Sequence, residues 1–286
     1  MKNTNKYPVY IVSKGRAERP YTAEMLYDDG VDFRIVVEPA EAQAYREALP
    51  YARVEVLPFE NLGVGSYPAR NWCWEHSLTL GAHRHWVLDD NIRGFMRLHQ
   101  GNRRYINAQT ALHYMERFVD RYTNVAIAGP DYNYLISPTE SKPFKLNRHV
   151  YSAMLIENSL PFRWRLKYNE DVDLCLQALT QGYCTVLFYT FLIDKISTTA
   201  KLPGGNQTEL YQGNDPKKKL EKARTLYRQW PNLVQIVQRY NRPHHYVDWN
   251  QFTQPLDRRD DLDWTKIAAE SPQLTLVSLP KSTTEN

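Results

Sequence analysis

Four short apolar runs, at residues 8–12, 33–37, 54–57 and 86–88, punctuate the first third of the chain. Helix-prone stretches separate them at 22–27, at 40–48 and from Ser66 toward Leu80. A strand followed by a crossover helix and a second strand returns in the same direction, so this alternation predicts a parallel sheet. Three of the runs end in polar groups: Ser13, then Glu38, then Asp89 with Asp90. In a parallel sheet these groups lie along one edge, the carboxyl edge at which open α/β folds bind ligands.

The most informative cluster is Asp89-Asp90-Asn91, directly after Trp86-Val87-Leu88. Two carboxylates and an amide at a strand end are hard oxygen donors. They suit Mg²⁺ or Mn²⁺, and through the ion a diphosphate. The plainer reading is a polar turn, for which Asp and Asn are ordinary residues. Glu38 is placed to accept from ribose hydroxyls or from a base, as the acid of dinucleotide folds does; otherwise it is a solvated loop acid. No G-x-G-x-x-G follows the first run, which disfavours a dinucleotide fold. The turn there is Ser13-Lys14-Gly15-Arg16, a glycine among two cations. Gly63 and Gly65 form a mobile loop before Ser66, a candidate N-cap, with Pro68 in the first helical turn. Arg70 and the free amides of that helix start favour phosphate or another anion. The alternative is a capped surface helix, and the glycine spacing is not that of a P-loop.

Further on, 95–98 and 105–106 flank Gln100-Gly101-Asn102-Arg103-Arg104, which reads as a hairpin with a basic tip. Residues 108–122 form an amphipathic helix, 125–128 a strand, 131–145 a loop and 149–157 another strand. Residues 162–167 alternate apolar with basic and predict a strand with one aromatic and one cationic face. Asn169 can cap the following helix, with Glu170, Asp171 and Asp173 in a first turn that suits the helix dipole. The functional alternative is that one of these acids is a general base. Residues 184–193 read as a final core strand, 198–214 as a lid or a plain linker, and 215–239 as one charged helix or two split near Pro231. The remainder is Pro-rich and polar, frayed at 282–286.

A formal net charge of +4 permits a polyanionic partner without requiring one. The 13% aromatic content suits sugar or base stacking as well as core packing. Cys73, Cys175 and Cys184 have no metal-type spacing and form no disulfide framework, which favours a reducing interior. The polar start of the chain and the lack of a long apolar window predict a soluble, cytoplasmic protein with no membrane partner.

In order, these elements resemble the GT-A class of nucleotide-sugar glycosyltransferases. More narrowly, they resemble the TET-associated glycosyltransferases of bacteriophages. The resemblance rests on residues 10–16, Trp86-Val87-Leu88-Asp89-Asp90-Asn91, Tyr168-Asn169-Glu170-Asp171-Val172-Asp173 and Gly204-Gly205-Asn206, and covers roughly 7–212. It implies a Rossmann-like α/β domain at 7–212, a mixed but mostly parallel sheet flanked by helices, with a helical and irregular extension at 213–286. It further implies that Asp89, Asp90 and Asn91 hold Mn²⁺ or Mg²⁺ and the diphosphate of a donor such as a UDP-sugar. Ser13, Gly15, Arg16, Glu38 and Arg70 would bind the donor, and Asp171 or Glu170 would serve the acceptor. Asn91 departs from the Asp-x-Asp pattern; an amide ligates a hard cation more weakly.

The acceptor implied by the family is the hydroxyl of 5-hydroxymethylcytosine, or more broadly a 5-hydroxymethylpyrimidine, in double-stranded DNA. A TET-like dioxygenase would supply the oxidised base, and the setting for a phage-encoded enzyme is the infected host cell. Arg103, Arg104, Arg163, Arg165 and Lys217 to Lys219 are candidate DNA contacts, and the target base would be flipped. An inverting reaction needs the base and a retaining one does not. Two rivals stay open: a GT-A enzyme acting on a glycan or protein, and a non-catalytic DNA- or nucleotide-binding module.

Overall fold

The computed structural model describes residues 5–196, 204–205, 216–239 and 241–270. Strands β1 (Val9–Val12), β2 (Arg34–Val37), β3 (Arg53–Val56) and β4 (Arg84–Asp89) pair in parallel in the order β3-β2-β1-β4. Their connections run through α1 (Tyr21–Asp28), α2 (Ala42–Ala48) and α3 (Tyr67–Thr79), the doubly wound arrangement that the alternation predicts. The sheet continues through β9 (Ala153–Glu157), β7 (Val125–Tyr132), β10 (Cys184–Lys195), β5 (Ile92–His99) and β6 (Asn102–Ile106), with β8 (Phe144–Leu146) on β10. Strands β5, β8 and β9 oppose the others, so the sheet is mixed with most strands running one way.

The strand period of two sorts each run onto both faces of the sheet. Val9, Ile11, Ile35, Val37, Trp86 and Leu88 pack in one core layer with Leu26 of α1, Tyr45 of α2 and Leu112 and Met115 of α4 (Ala108–Val119). Tyr10, Val36 and Val87 pack in the other, with Cys73 and Trp74 of α3 and Leu174 and Cys175 of α5 (Glu170–Thr180). All three cysteines are free and buried, in keeping with packing roles. No described helix is long and apolar enough to cross a membrane.

Several local expectations change. Residues 162–167 form no strand: their path is irregular because Asn71 takes both backbone groups of Trp164, and Arg163 and Arg165 turn to Glu75 and Asp173. The expected second half of the charged helix is a strand. Helix α6 (Pro216–Gln229) ends before Pro231, and β11 (Val234–Arg239) pairs antiparallel with β12 (Arg242–Val247). Val234, Val247 and Leu226 bury against Val172 and Leu176 of α5, which packs this segment on that helix; α7 (Trp264–Glu270) follows. The expected lid at 198–214, apart from Gly204 and Gly205, lies outside the described residues, as do Asn206, the side chains of Lys217 to Lys219, and 282–286.

Candidate active site

The carboxyl edge of the parallel strands gathers the expected polar groups. Thr22, in the first turn of α1, braces the β4–β5 turn. Its Oγ1 donates to the Asp89 carbonyl at 2.7 Å and accepts from Ile92 N at 2.9 Å. Asp90 turns back under β1, where Ser13 Oγ donates to it at 2.7 Å and the Arg16 guanidinium pairs with it. Burial pushes the Asp90 carboxyl up, against Arg16 and Ser13. Glu38 sits 3.0 Å from Lys14 Nζ beside a small cleft lined by Leu57, Phe59, Gly63 and Gly65. Gly15 faces Gly204, and Gly205 N donates to the Lys14 carbonyl at 2.7 Å. The Gly204-Gly205 pair therefore covers the Ser13–Arg16 turn, 188 positions away from Arg16 in sequence.

Asp89 faces the other way. Arg70 Nη2 donates to its Oδ1 at 2.9 Å, and Lys195 Nζ to its Oδ2 at 2.5 Å. Burial pushes this carboxyl up, but Lys195 and Arg70 outweigh it and hold it down at about 2. Lys195 also donates to Ser152 Oγ at 2.8 Å, and Ser152 is in turn bonded to Tyr132 OH at 2.6 Å. Ser66 does not cap α3 with its side chain. Its Oγ accepts from Arg70 Nε at 3.2 Å and donates to Glu170 at 2.9 Å. Arg70, buried and lying 4.8 Å over the Trp164 ring, thus joins the Asp-Asp-Asn edge to the start of α5. Its Nε is 3.9 Å from Glu170, and its Nη1 has no partner among the described residues.

At α5, Asn169 is left-handed and its side chain bonds the Lys222 carbonyl instead of capping the helix. The two acids behind it are distinct. Burial, then the neighbouring Asp171, raise the Glu170 carboxyl toward its protonated form. Burial also pushes Asp171 up, but His149, 3.0 Å from its Oδ2, outweighs it and keeps Asp171 ionised. Asp171 is the more open of the pair. Asp173 is fully buried and structural: it accepts from Arg165, Gln177 and Trp230.

Of the candidate DNA contacts, Arg163 is tied to Glu75 over the Trp74 ring, and Arg165 to Asp173 beside Trp230. Arg103 donates to the Ile136 carbonyl at 2.5 Å, while Arg104 is exposed. The hairpin turn is Gln100-Gly101, so both arginines lie in β6, the last strand of the sheet. Lys195, Ser152 and His149 are the site residues that sequence reasoning missed. None sits in a motif, and the apolar run at 184–193 stops two positions short of Lys195.

The expected cation does not fit these donors as arranged. Both oxygens of Asp89 and both of Asp90 carry partners. Asn91 turns its amide N–H to the Ile196 carbonyl at 2.8 Å, leaving one buried neutral oxygen without a hydrogen bond. Among the described residues no cluster of three or more His, Cys, Asp or Glu side chains could hold a metal.

Residues 7–204 match the family of TET-associated glycosyltransferases. No curated protein matches the chain. Among solved structures, one described as a nucleotide-diphospho-sugar transferase, from Desulfovibrio desulfuricans G20, is similar over 65% of this chain and 80% of its own. Its identity is 11% and its TM-score 0.37, too low to carry weight. The family match spans well over half of the sequence: the chain belongs to the TET-associated glycosyltransferases and, as such, is a nucleotide-sugar-dependent glycosyltransferase.

Proposed function

We propose that the protein moves a sugar from a UDP-sugar to the hydroxyl of a 5-hydroxymethylpyrimidine, 5-hydroxymethylcytosine first among them, in double-stranded DNA. The observation that carries this reading is Arg70, which bonds Asp89 at 2.9 Å and stands 3.9 Å from Glu170. This contact supports a site in which one buried side chain serves both the donor's diphosphate and the acceptor's carboxylates. Glu38 accepts from the ribose of the nucleoside, and Arg70 Nη1, without a hydrogen-bond partner among the described residues, takes a diphosphate oxygen. Asp171, ionised and the more open acid, accepts the proton of the attacking hydroxyl. The bond from the anomeric carbon to the diphosphate breaks with its electron pair leaving on oxygen, and the bond to the acceptor oxygen forms. This is the inverting form of the reaction.

The family's association with TET-like dioxygenases supports an oxidised base as the acceptor, made in the same cytoplasm. Arg104 and the exposed side of Arg163 are the candidate backbone contacts. The test is a panel of UDP-sugars with duplexes carrying 5-hydroxymethylcytosine, 5-hydroxymethyluracil or plain bases, read by nucleoside mass spectrometry. A sugar mass gain confined to the hydroxymethylated base is expected. UDP release with every duplex unmodified would move the acceptor to a glycan or protein.

A further inference from the structure

We propose that Lys195, together with Arg70, stands in for the divalent cation, and that sugar transfer by this protein needs no metal. The inference rests on the UDP-sugar reading of the same site. Its basis is how β10 ends. The strand slips register against β7 between Phe188 and Leu192, then runs antiparallel along β5 with Lys195 opposite Ile92. Ile196 N closes on the Asn91 carbonyl at 3.0 Å. This pairing sets Lys195 beside the very turn that carries Asp89-Asp90-Asn91. The ammonium is largely buried, bonded to Asp89 and Ser152, and backed by the Tyr132 ring at 5.7 Å. Such a lysine is held in one position by three neighbours, so it is preorganised for the place where charge develops.

The charges at this edge agree. Arg16 faces Asp90, and Arg70 and Lys195 face Asp89, so each carboxylate already has a cationic partner without an added ion. An incoming diphosphate competes with Asp89 for the Lys195 and Arg70 donors, and takes the Arg70 Nη1 hydrogen that has no partner among the described residues. As the bond to the anomeric carbon breaks, the electron pair collects on the leaving phosphate oxygen facing these donors. The acceptor proton passes to Asp171, and Lys195 keeps its own.

The test uses the purified full chain. UDP binding is measured by calorimetry, and UDP release from the donor by a coupled assay, each in EDTA and in 5 mM-scale Mn²⁺, roughly the range that saturates a site holding one or two carboxylates. Mn²⁺ binding to the free protein is followed by electron paramagnetic resonance. The wild type is expected to bind UDP and turn over within about twofold in both conditions, with no ordered Mn²⁺ signal. Lys195→Ala is expected to lose about 100-fold or more in kcat in EDTA, and to regain part of it with Mn²⁺, because Asp89 is then free to ligate. Lys195→Arg, which keeps the charge, is expected to retain more activity than Lys195→Ala and controls for folding. Loss of wild-type turnover in EDTA with recovery in Mn²⁺ overturns the proposal and leaves the glycosyltransferase reading standing. Absence of UDP binding in both conditions removes the UDP-donor reading and the proposal with it.

Discussion

Replacing Arg165 by alanine separates a structural role from a DNA contact. Its Nε and Nη2 each donate to the Asp173 carboxylate at 3.0 Å, and its guanidinium lies 5.4 Å from the Trp230 ring centre. Asp173 has no exposed surface. Breaking a buried ion pair costs about 3–5 kcal/mol because a charge is left without compensation. Two features lower that figure. The Arg165 side chain is 39% exposed, so solvent already screens part of the pair. Gln177 and Trp230 also go on donating to Asp173, at 2.9 and 2.7 Å. A net loss of about 2–3 kcal/mol follows, or roughly 5–10 °C in Tm at about 2–4 °C per kcal/mol for a large domain. Adding Asp173→Asn removes the buried charge, so the double variant should melt above Arg165→Ala alone. Calorimetry and urea unfolding read both. A Tm for Arg165→Ala within about 1 °C of wild type, with a clear loss of DNA affinity, would refute the structural assignment and restore Arg165 to the DNA surface.

Three further outcomes are expected. Asp171→Asn should lower kcat for transfer by about 10²–10⁴ while UDP binding is kept, and equal losses in both would make Asp171 a donor-site residue. Gly204→Ala should raise KM for the donor. A Cβ at this left-handed residue (φ +78°) would meet the Gly15 carbonyl oxygen at 2.2 Å and lift the glycine pair off the Ser13–Arg16 turn; an unchanged KM would show that the cover is dispensable. Glu116, buried and accepting from Trp86 Nε1 at 2.9 Å, has its carboxyl raised from 4.5 to about 7, chiefly by burial. The folded state therefore holds the extra proton between those values, and the Glu116 contribution to stability is present below about 4.5 and lost as pH rises through about 7. Glu116→Gln should flatten the fall in Tm between about pH 4.5 and 7, and parallel profiles for the two proteins would refute it.

The parallel half of the fold was legible because its signals are local. Ser13, Glu38 and Asp90 came to one edge as the strand ends required, since parallel strands with short apolar cores leave little choice of where the next polar residue goes. The misreadings occur where a local pattern lost to a distant partner. Phe162-Arg163-Trp164-Arg165 alternates like a strand, but Asn71, more than 90 positions earlier, takes both backbone groups of Trp164 and no sheet edge is offered. Residues 234–239 continued a charged helix in composition, yet Pro231 stops α6 and the pairing with 242–247 wins.

Lys195 is the instructive case. In sequence it is a cation at the end of an apolar run, 106 positions from Asp89. It becomes a site residue only through the register of β10 on β5, which shifts between Asp194 and Lys195 where no periodicity announces it. The motif Asp89-Asp90-Asn91 by itself invites a divalent ion. Once folded, the same carboxylates have two arginines and a lysine on them. Carboxylates at a strand end thus specify that positive charge will be needed there, while the identity of that charge, ion or side chain, is decided by what distant segments of the chain deliver to the edge.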